Sequence, residues 1–558
     1  MIKDYFIEIT RKAILDAIAD KKLGEMTEFD GVLICEKPKN IEFGDFAINV
    51  SSLARSAKMA PPLIGKEVIS YIEQNNFEVS LAGGFINFKV GNAFLNSILA
   101  DIANKKENYG RQNIGEGKKV NLEYVSANPT GPFHIGHGRW AAVGSSLAES
   151  MKFAGYDVFQ EFYINDAGNQ IQKLGKSLEL RVREQKGETI EMPEDSYRGD
   201  YLIETAKEYI KENSSENYAD YAKRKMLENQ KELLEKFGVH FDLFFSELSL
   251  YANNEVEAAI KALEPYMFEQ DGAIWFKTTQ FGDDQDRVIK KADGNNTYLT
   301  ADIAYHMNKL KRCDEMINIW GADHHGYIPR IKAAIQALGG NPDALTVILG
   351  QLVNIVQDGM AVRMGKRKTM VTLDDLIEEV GVDGVRFWML MRSTDTTLDF
   401  DVDLAKSQSD KNPVFYVQYA HARCASILRR ATDARIDTVD KKELPPHLSQ
   451  SEFVNAKRAG DINSANIDAK SALYLKKLIL KLEEFNEIIA SVAKNKAPYL
   501  LCKYALELAG DFHQFYNFTR VLSDDKETTK AMVFTVAQTK TVMANVLKLI
   551  GVSAPEKM

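Results

Sequence analysis

Apolar and polar positions change period several times along the chain, and each change predicts an element. The opening stretch MIKDYFIEITRKAILDAIAD mixes acids and bases into an apolar spacing of three and four, which predicts an amphipathic helix. NIEFGDFAINV and LAGGFINFKV then add strand-like runs. Residues 1–112 therefore read as a mixed α/β region, ending in the turn-rich YGRQNIGEGKK. At 120–125, VNLEYV is apolar and β-branched enough for a buried strand, and AAVGSSLAESMKFAG at 141–155 has helical spacing with Gly155 as its stop. VFQEFYI from Val158 supplies the next strand, so the order is strand, loop, helix, strand. A charged, helical segment near 175–270 follows, and MINIW reads as a later strand. Pro413 in PVFYVQYAHARCASILRR sits at a natural helix start, and SALYLKKLILKLEEFNEIIASVAK continues in helical period toward the end.

Composition narrows the class. At 558 residues the length suggests three to four domains, and no apolar run approaches the roughly 18 residues of a membrane span. The N-terminus has no continuous apolar signal region. Cys35, Cys313, Cys424 and Cys502 lie far apart without a C-x-x-C pair, which argues against a zinc ribbon and a disulfide framework and for a reducing cytoplasm. The net charge of −9 hides an asymmetry: from Lys411 onward 22 Lys and Arg face 16 Asp and Glu, leaving the preceding part at −15. A basic helical end behind an acidic body suits a phosphate backbone, though a solvated basic surface has the same charge. FHQFYNFTRVL adds stacking faces beside a cation, Phe515, Tyr516 and Phe518 next to Arg520, the combination that recognises unpaired bases, although at helical spacing Phe512 and Phe515 are expected to face inward.

The densest chemistry is SANPTGPFHIGHGR at 126–139, between the first strand and helix of the α/β unit. The first N–H groups of such a helix lack intrahelical partners and meet an anion together with the positive helix end. Pro129 and Pro132 stiffen the loop, while Gly131, Gly136 and Gly138 carry no Cβ to block a base or a phosphate. His134 and His137, three apart, can project from one side of the helix start and donate to phosphate oxygens that gain charge during an in-line displacement. Alone, two such histidines would more often be helix caps. A zinc reading fails for want of companion ligands. Further on, Arg363, Lys366, Arg367 and Lys368 crowd around Gly365 in VRMGKRKTMVTLDDL, before a helix predicted to begin near Thr372. That loop could swing positive charge onto a polyphosphate.

SANPTGPFHIGH followed by EFYINDAGNQI resembles the HIGH signature of class I aminoacyl-tRNA synthetases in its arginyl form. The resemblance continues through YRGDYL, YLTADIAYH, WGADHHGY, LDFDVDLAKSQSDKNPVFYVQYAHAR, FHQFYNFTRVL and the terminal GVSAPEKM, covering nearly the whole chain. It implies an α/β Rossmann-like catalytic domain at 113–405 interrupted by a helical insertion near 175–270. Before it would stand an α/β N-terminal domain at 1–112 that contacts tRNA, and after it an all-α anticodon-binding bundle at 406–558. The expected activity is ATP-dependent ligation of L-arginine to its tRNA through an arginyl-adenylate.

By the same resemblance His134, His137 and Lys366 carry catalysis, and Tyr516, Asn517 and Arg520 of the anticodon-binding bundle bind tRNA. Pro129, Thr130, Gly131, Gly136, Gly138, Arg363, Met364, Gly365 and Arg367 would hold ATP. Arg363, Gly365 and Thr369 depart from the family's KMSKS pattern. A guanidinium asks for carboxylates in a fixed plane. Asp302 is assigned to it, Tyr298 to packing over or bonding the side chain, and Glu123 and Asn128 to the polar ends of the ligand. Ser126, Asp323 and His324 complete the expected arginine site; the D-H-H run could alternatively ligate a metal. Magnesium is expected with ATP as substrate, no metal site and no tightly bound cofactor are expected, and the protein is expected to act as a cytoplasmic monomer. A non-catalytic tRNA-binding paralogue is the alternative, against which intact His134, His137, Lys366 and Asp302 speak. A cysteinyl-type enzyme would need a zinc thiolate site that the dispersed cysteines cannot build.

Overall fold

The computed structural model describes residues 2–38, 40–74, 76–361, 371–434 and 462–558. The first unit comprises α1 (Ile2–Ala19), β1 (Cys35–Glu36), β2 (Phe46–Asn49), α2 (Ala54–Ala57), α3 (Pro61–Ser70), β3 (Phe77–Ala82), β4 (Phe85–Val90) and α4 (Asn92–Lys105). Its antiparallel sheet runs β1-β2-β4-β3. The apolar stripe of α1 covers one sheet face, with Phe6 stacked 4.3 Å from Phe88 and edge-on to Phe77.

The nucleotide-type unit follows the predicted order: β5 (Lys119–Glu123), α5 (Ile135–Phe153) and β6 (Asp157–Ile164). Next come α6 (Asn169–Gln185), α7 (Tyr201–Lys211) and α8 (Tyr218–Lys236), which build a small core of their own around Leu178, Leu202 and Tyr221. The expectation of a helical segment reaching residue 270 does not hold. Leu243–Ser246 forms β7, which pairs parallel with β6 at the edge of the main sheet. LFFS is short and apolar, so its strand character could not be told from a helix turn by period alone. Beyond it lie α9 (Glu247–Ala252), α10 (Glu255–Leu263), a three-stranded antiparallel sheet of β8 (Met267–Gln270), β9 (Ala273–Phe276) and β10 (Arg287–Lys290), and α11 (Tyr298–Leu310). The main sheet then takes β11 (Glu315–Gly321), α12 (Ile328–Ala337) and β12 (Leu345–Gly350).

All pairs in the order β12-β11-β5-β6-β7 are parallel. The chain winds outward from β5 to β7 and returns on the other side through β11, so the switch point lies between β5 and β11. Ligands of open α/β sheets bind beyond the carboxyl ends of the strands at this point. Both the 126–139 loop and GADHHG leave the sheet there. α5 lies close on the sheet because Gly144 admits the ring of Tyr124; a Cβ at this glycine would stand 2.2 Å from it.

A second small sheet, β14-β13-β15, joins β13 (Val353–Gln357), β14 (Met360–Ala361) and β15 (Leu398–Asp401). With it come α13 (Leu373–Val380), α14 (Val382–Leu390) and α15 (Val402–Lys406). The C-terminal part is helical among its described residues: α16 (Pro413–Asp433), α17 (Ala469–Glu483), α18 (Phe485–Asn495), α19 (Tyr499–Phe518) and α20 (Lys526–Ile550). It shares one apolar core with the N-terminal unit and α5. Arg386 of α14, fully buried, ties it to the sheet domain by donating to Ile550 O at the end of α20, to Phe237 O and to Ser145 Oγ.

Candidate active site

The loop after β5 begins under strain. Val125 and Ser126 have φ of +66° and +41°, the left-handed region that a β-branched residue rarely occupies. The turn sets Ser126 Oγ between Glu123 Oε1, 3.0 Å away, and the backbone N–H of Tyr163 at 3.1 Å. Asn128 is exposed and donates to Gln170 Oε1 at 2.9 Å. Pro129 is buried and Thr130 half-buried.

The two histidines are both cap and donor. His134 is the N-cap of α5, its Nδ1 accepting from Gly136 N at 3.0 Å, while His137 Nδ1 accepts from His134 N at 3.3 Å. The rings stack with centroids 3.6 Å apart. A neutral imidazole that accepts at Nδ1 carries its proton on Nε2. Burial lowers the pKa of His134, and burial and then the neighbouring imidazole push that of His137 down to about 3. Both rings are thus neutral near pH 7, and each has an Nε2–H to offer to an oxyanion. The three glycines differ in purpose. A Cβ on Gly138 would lie 2.6 Å from Leu373 Cδ1, so this glycine serves the packing of α5 on α13, whereas Gly131 faces Tyr201 and Gly136 only its own N-cap ring.

Residues 362–370, with Arg363, Met364, Gly365, Lys366 and Arg367, lie outside the described residues. The segment after them docks directly on the histidine loop. Leu373 N donates to Phe133 O at 2.9 Å, His134 and Thr372 form an antiparallel bridge, and Thr372 and Asp375 cap α13 reciprocally. The predicted helix start at Thr372 is therefore its N-cap.

Across the switch point, buried acids fall into two kinds. Glu161 is fully matched: Arg312 meets it through two nitrogens at 2.7 and 3.1 Å, and Tyr305 and Asn121 donate to it. Burial raises its pKa, and these partners more than offset that, so it ionises below the ordinary range. Glu123 is matched as well, by the fully buried Lys309 at 2.5 Å and by Ser126. Asp302 and Glu247 are different. Among the described residues neither has a lysine or arginine in ion-pair contact. Asp302 accepts from Tyr327 Oη at 2.6 Å, and Tyr163 stands beside Glu247. Burial, partly opposed by the Tyr327 bond and reinforced by Glu247 and Glu123, raises Asp302 to about 7; burial and then Asp166 raise Glu247. Two desolvated carboxyls without a cation constitute a receptor for one.

Tyr298, one turn before Asp302 on α11, is largely exposed at the mouth of this pocket. Asp323 and His324 are exposed in a 3₁₀ turn after β11 and contact each other at 3.6 Å; the side chain this turn sends to Asp302 is Tyr327. Glu247, Tyr163, Tyr327 and Lys309 were not expected. Glu247 was not findable as a strand-end acid, since the period of LFFS did not show that a strand ends just before it. Nor was Lys309, because nothing in YHMNKL distinguishes a buried lysine from a surface one.

At the helical end, Phe512 and Phe515 are buried as expected. Tyr516 is half-buried beneath the Arg423 guanidinium, 4.1 Å from its ring, and Asn517 and Arg520 are exposed at the end of α19. Tyr419, exposed and stacked between Phe415 and His513, extends the same face onto α16. Arg423 and Tyr419 belong to the YVQYAHAR string, which reads as the start of a helix, and helical spacing alone does not single them out.

Three family models match successive parts of the chain. Residues 8–90 match the family described as arginyl tRNA synthetase N terminal domain, residues 97–387 tRNA synthetases class I (R), catalytic domain, and residues 417–558 DALR anticodon binding domain. An arginine–tRNA ligase of Halalkalibacterium halodurans is 43% identical over 94% of each chain, and that of Bacillus subtilis 42% identical over the full length of both. In fold, the chain is similar to Thermus thermophilus arginyl-tRNA synthetase, with a TM-score of 0.73, 20% identity, and 99% of this chain and 100% of that chain covered. No helix among the described residues is long and apolar enough to cross a membrane.

Proposed function

The chain belongs to the arginyl-tRNA synthetase family and joins arginine to its tRNA in an ATP-dependent reaction, and from that premise we propose how its residues divide the work. Asp302 and Glu247 receive the guanidinium, with Tyr327 and Tyr163 orienting the two carboxyls. The observation that carries this reading is two carboxyls without a cation, Glu247 buried and Asp302 half-buried, because the five donors of a guanidinium in one plane suit two acceptors better than a lysine ammonium does. Glu123, held by Lys309 and Ser126, and Asn128 at the mouth face the ammonium and carboxylate end of arginine, with Tyr298 closing over the side chain. Asp323 and His324 contribute only if the turn rearranges on binding.

ATP lies over the 126–139 loop. Pro129, Thr130, Gly131 and Gly136 bring backbone close to it, and the Nε2–H groups of His134 and His137 donate to the phosphates. Lys366, with Arg363, Met364, Gly365 and Arg367, covers the triphosphate from the other side. Magnesium enters with ATP as part of the substrate and offsets its charge. The arginine carboxylate attacks the α-phosphorus, the bond to the β-phosphate oxygen breaks, and pyrophosphate leaves. A hydroxyl of the terminal tRNA ribose then attacks the activated carbonyl and releases AMP. Neutral imidazoles suit this step, since they stabilise phosphate charge by donation without losing a proton.

Tyr516, Asn517 and Arg520, extended by Arg423 and Tyr419, bind unpaired tRNA bases. The units at 1–112, 113–405 and 406–558 contact tRNA, perform the chemistry and read the anticodon. The protein works as a monomer in the cytoplasm, in keeping with four cysteines that form no disulfide. Pyrophosphate exchange over a panel of amino acids, with and without tRNA, tests the reading. Arginine alone should support exchange, and exchange with another amino acid would overturn it.

A further inference from the structure

Two residues of the helical insertion hold the ATP loop by its carbonyls, although neither faces a substrate. Asn128 and Gly131 each precede a proline, so the peptide that carries each of their oxygens has no N–H. The oxygen is then the only polar handle by which that peptide plane can be fixed. Gln230 of α8, 3% exposed, donates through one nitrogen to both, at 3.2 Å to Asn128 O and 3.0 Å to Gly131 O. Tyr201 of α7 donates to the carbonyl between them, Thr130 O, at 2.7 Å. In a trans peptide the N–H points away from the C=O, so this bond turns Gly131 N–H away from the insertion.

The same helix also reaches α13. Lys236, at the end of α8, pairs at 2.6 Å with Asp374 in the first turn of α13. Beside the loop, a cavity of about 400 Å³ lined by Phe133, Tyr201, Gln230, Leu233 and Lys236 leaves this side of it incompletely packed.

We infer that Gln230 and Tyr201 are positioning residues for adenylation: by tethering the carbonyls of 128, 130 and 131 they hold the loop, and with it His134 and His137, at the geometry the α-phosphate requires. The inference rests on the assignment of this loop to ATP. Loss of a few tenths of an ångström at reacting atoms is costly in rate while leaving arginine contacts intact.

The test uses the full-length enzyme with tRNA present, comparing Gln230→Met, which keeps shape and removes both donors, with Tyr201→Phe, which removes one hydroxyl. Arginyl-adenylate formation is followed in single turnover with active-site titration, beside steady-state pyrophosphate exchange. Gln230→Met should slow adenylate formation on the order of ten- to a hundredfold and Tyr201→Phe by about tenfold or less, with the KM for arginine within about twofold of the parent. The double variant should lose less than the product of the two, because both act on one loop. A parental rate in both variants overturns the proposal. So does a loss seen only as fewer active sites that each turn over at the parental rate, which marks a folding role. Should His137→Ala also leave exchange unchanged, the fault lies with the ATP assignment of the loop.

Discussion

Arginine affinity should depend on pH through Asp302 rather than through either histidine. Burial places the Asp302 carboxyl at about 7 in the empty pocket, and a guanidinium in contact needs it ionised. Binding then competes with a proton. Arginine itself keeps its guanidinium charge throughout, and His137 at about 3 is already neutral. The penalty on binding is one plus the ratio of protonated to ionised Asp302, or about 1.1 at pH 8, about 2 at pH 7 and about 11 at pH 6. The KM for arginine should rise about fivefold from pH 7 to pH 6 and change less than about twofold from 7 to 8, at saturating ATP and tRNA. Initial rates of pyrophosphate exchange against arginine concentration at each pH give the profile, and Asp302→Asn should abolish its slope while lowering kcat/KM by about a hundredfold or more. A KM flat from pH 8 to pH 6 would refute the reasoning. The same shift has a stability consequence. Unfolded, Asp302 titrates near 4; folded, near 7; the folded state therefore binds the proton more tightly, and folding is increasingly opposed as pH rises through that window. At pH 8 without ligand, Asp302→Asn should raise Tm, and at pH 4 it should not.

Removing one phosphate donor by His137→Ala should slow adenylation on the order of a hundredfold with arginine KM little changed, measured in single turnover. Arg386→Lys should destabilise by about 3 kcal/mol in denaturant unfolding, because an ammonium cannot replace the fork that serves Ile550 O, Phe237 O and Ser145 together. Gly144→Ala should cost about 1–3 kcal/mol or more by forcing α5 from the Tyr124 ring, read as a lower Tm. Arg423→Ala should raise the KM for tRNA in aminoacylation, since its guanidinium lies over Tyr516, while arginine KM stays unchanged.

What could be read in advance followed from period and from local chemistry. β5, α5, β6 and β11 lie where apolar spacing and Gly155 put them, and Thr372 caps the helix expected to begin there. The histidines could be paired from their spacing, but their tautomer could not, since it depends on which backbone N–H meets each Nδ1. Gly138 illustrates the limit of residue type as a guide: the freedom expected to admit a ligand instead admits Leu373 from a helix far along the chain.

The pocket proposed for arginine shows why such failures cluster at a site. Its acids come from three separate elements, Glu123 at the end of β5, Glu247 just after β7 and Asp302 within α11, and their spacing in the chain bears no relation to their spacing in space. Which of them remains available to a ligand is decided by a further residue, Lys309, whose ammonium is spent on Glu123. Had Lys309 instead met Asp302, the same composition would offer its unmatched carboxylates in a different place and orient arginine differently. A list of acids thus identifies a cation site, but only the internal pairing of charges identifies which end of the substrate each acid sees. Lys309→Met should accordingly disturb the end of arginine that Glu123 faces and move the Asp302 titration in the KM profile to higher pH, because the Lys309 charge lowers the Asp302 pKa while Glu123 raises it.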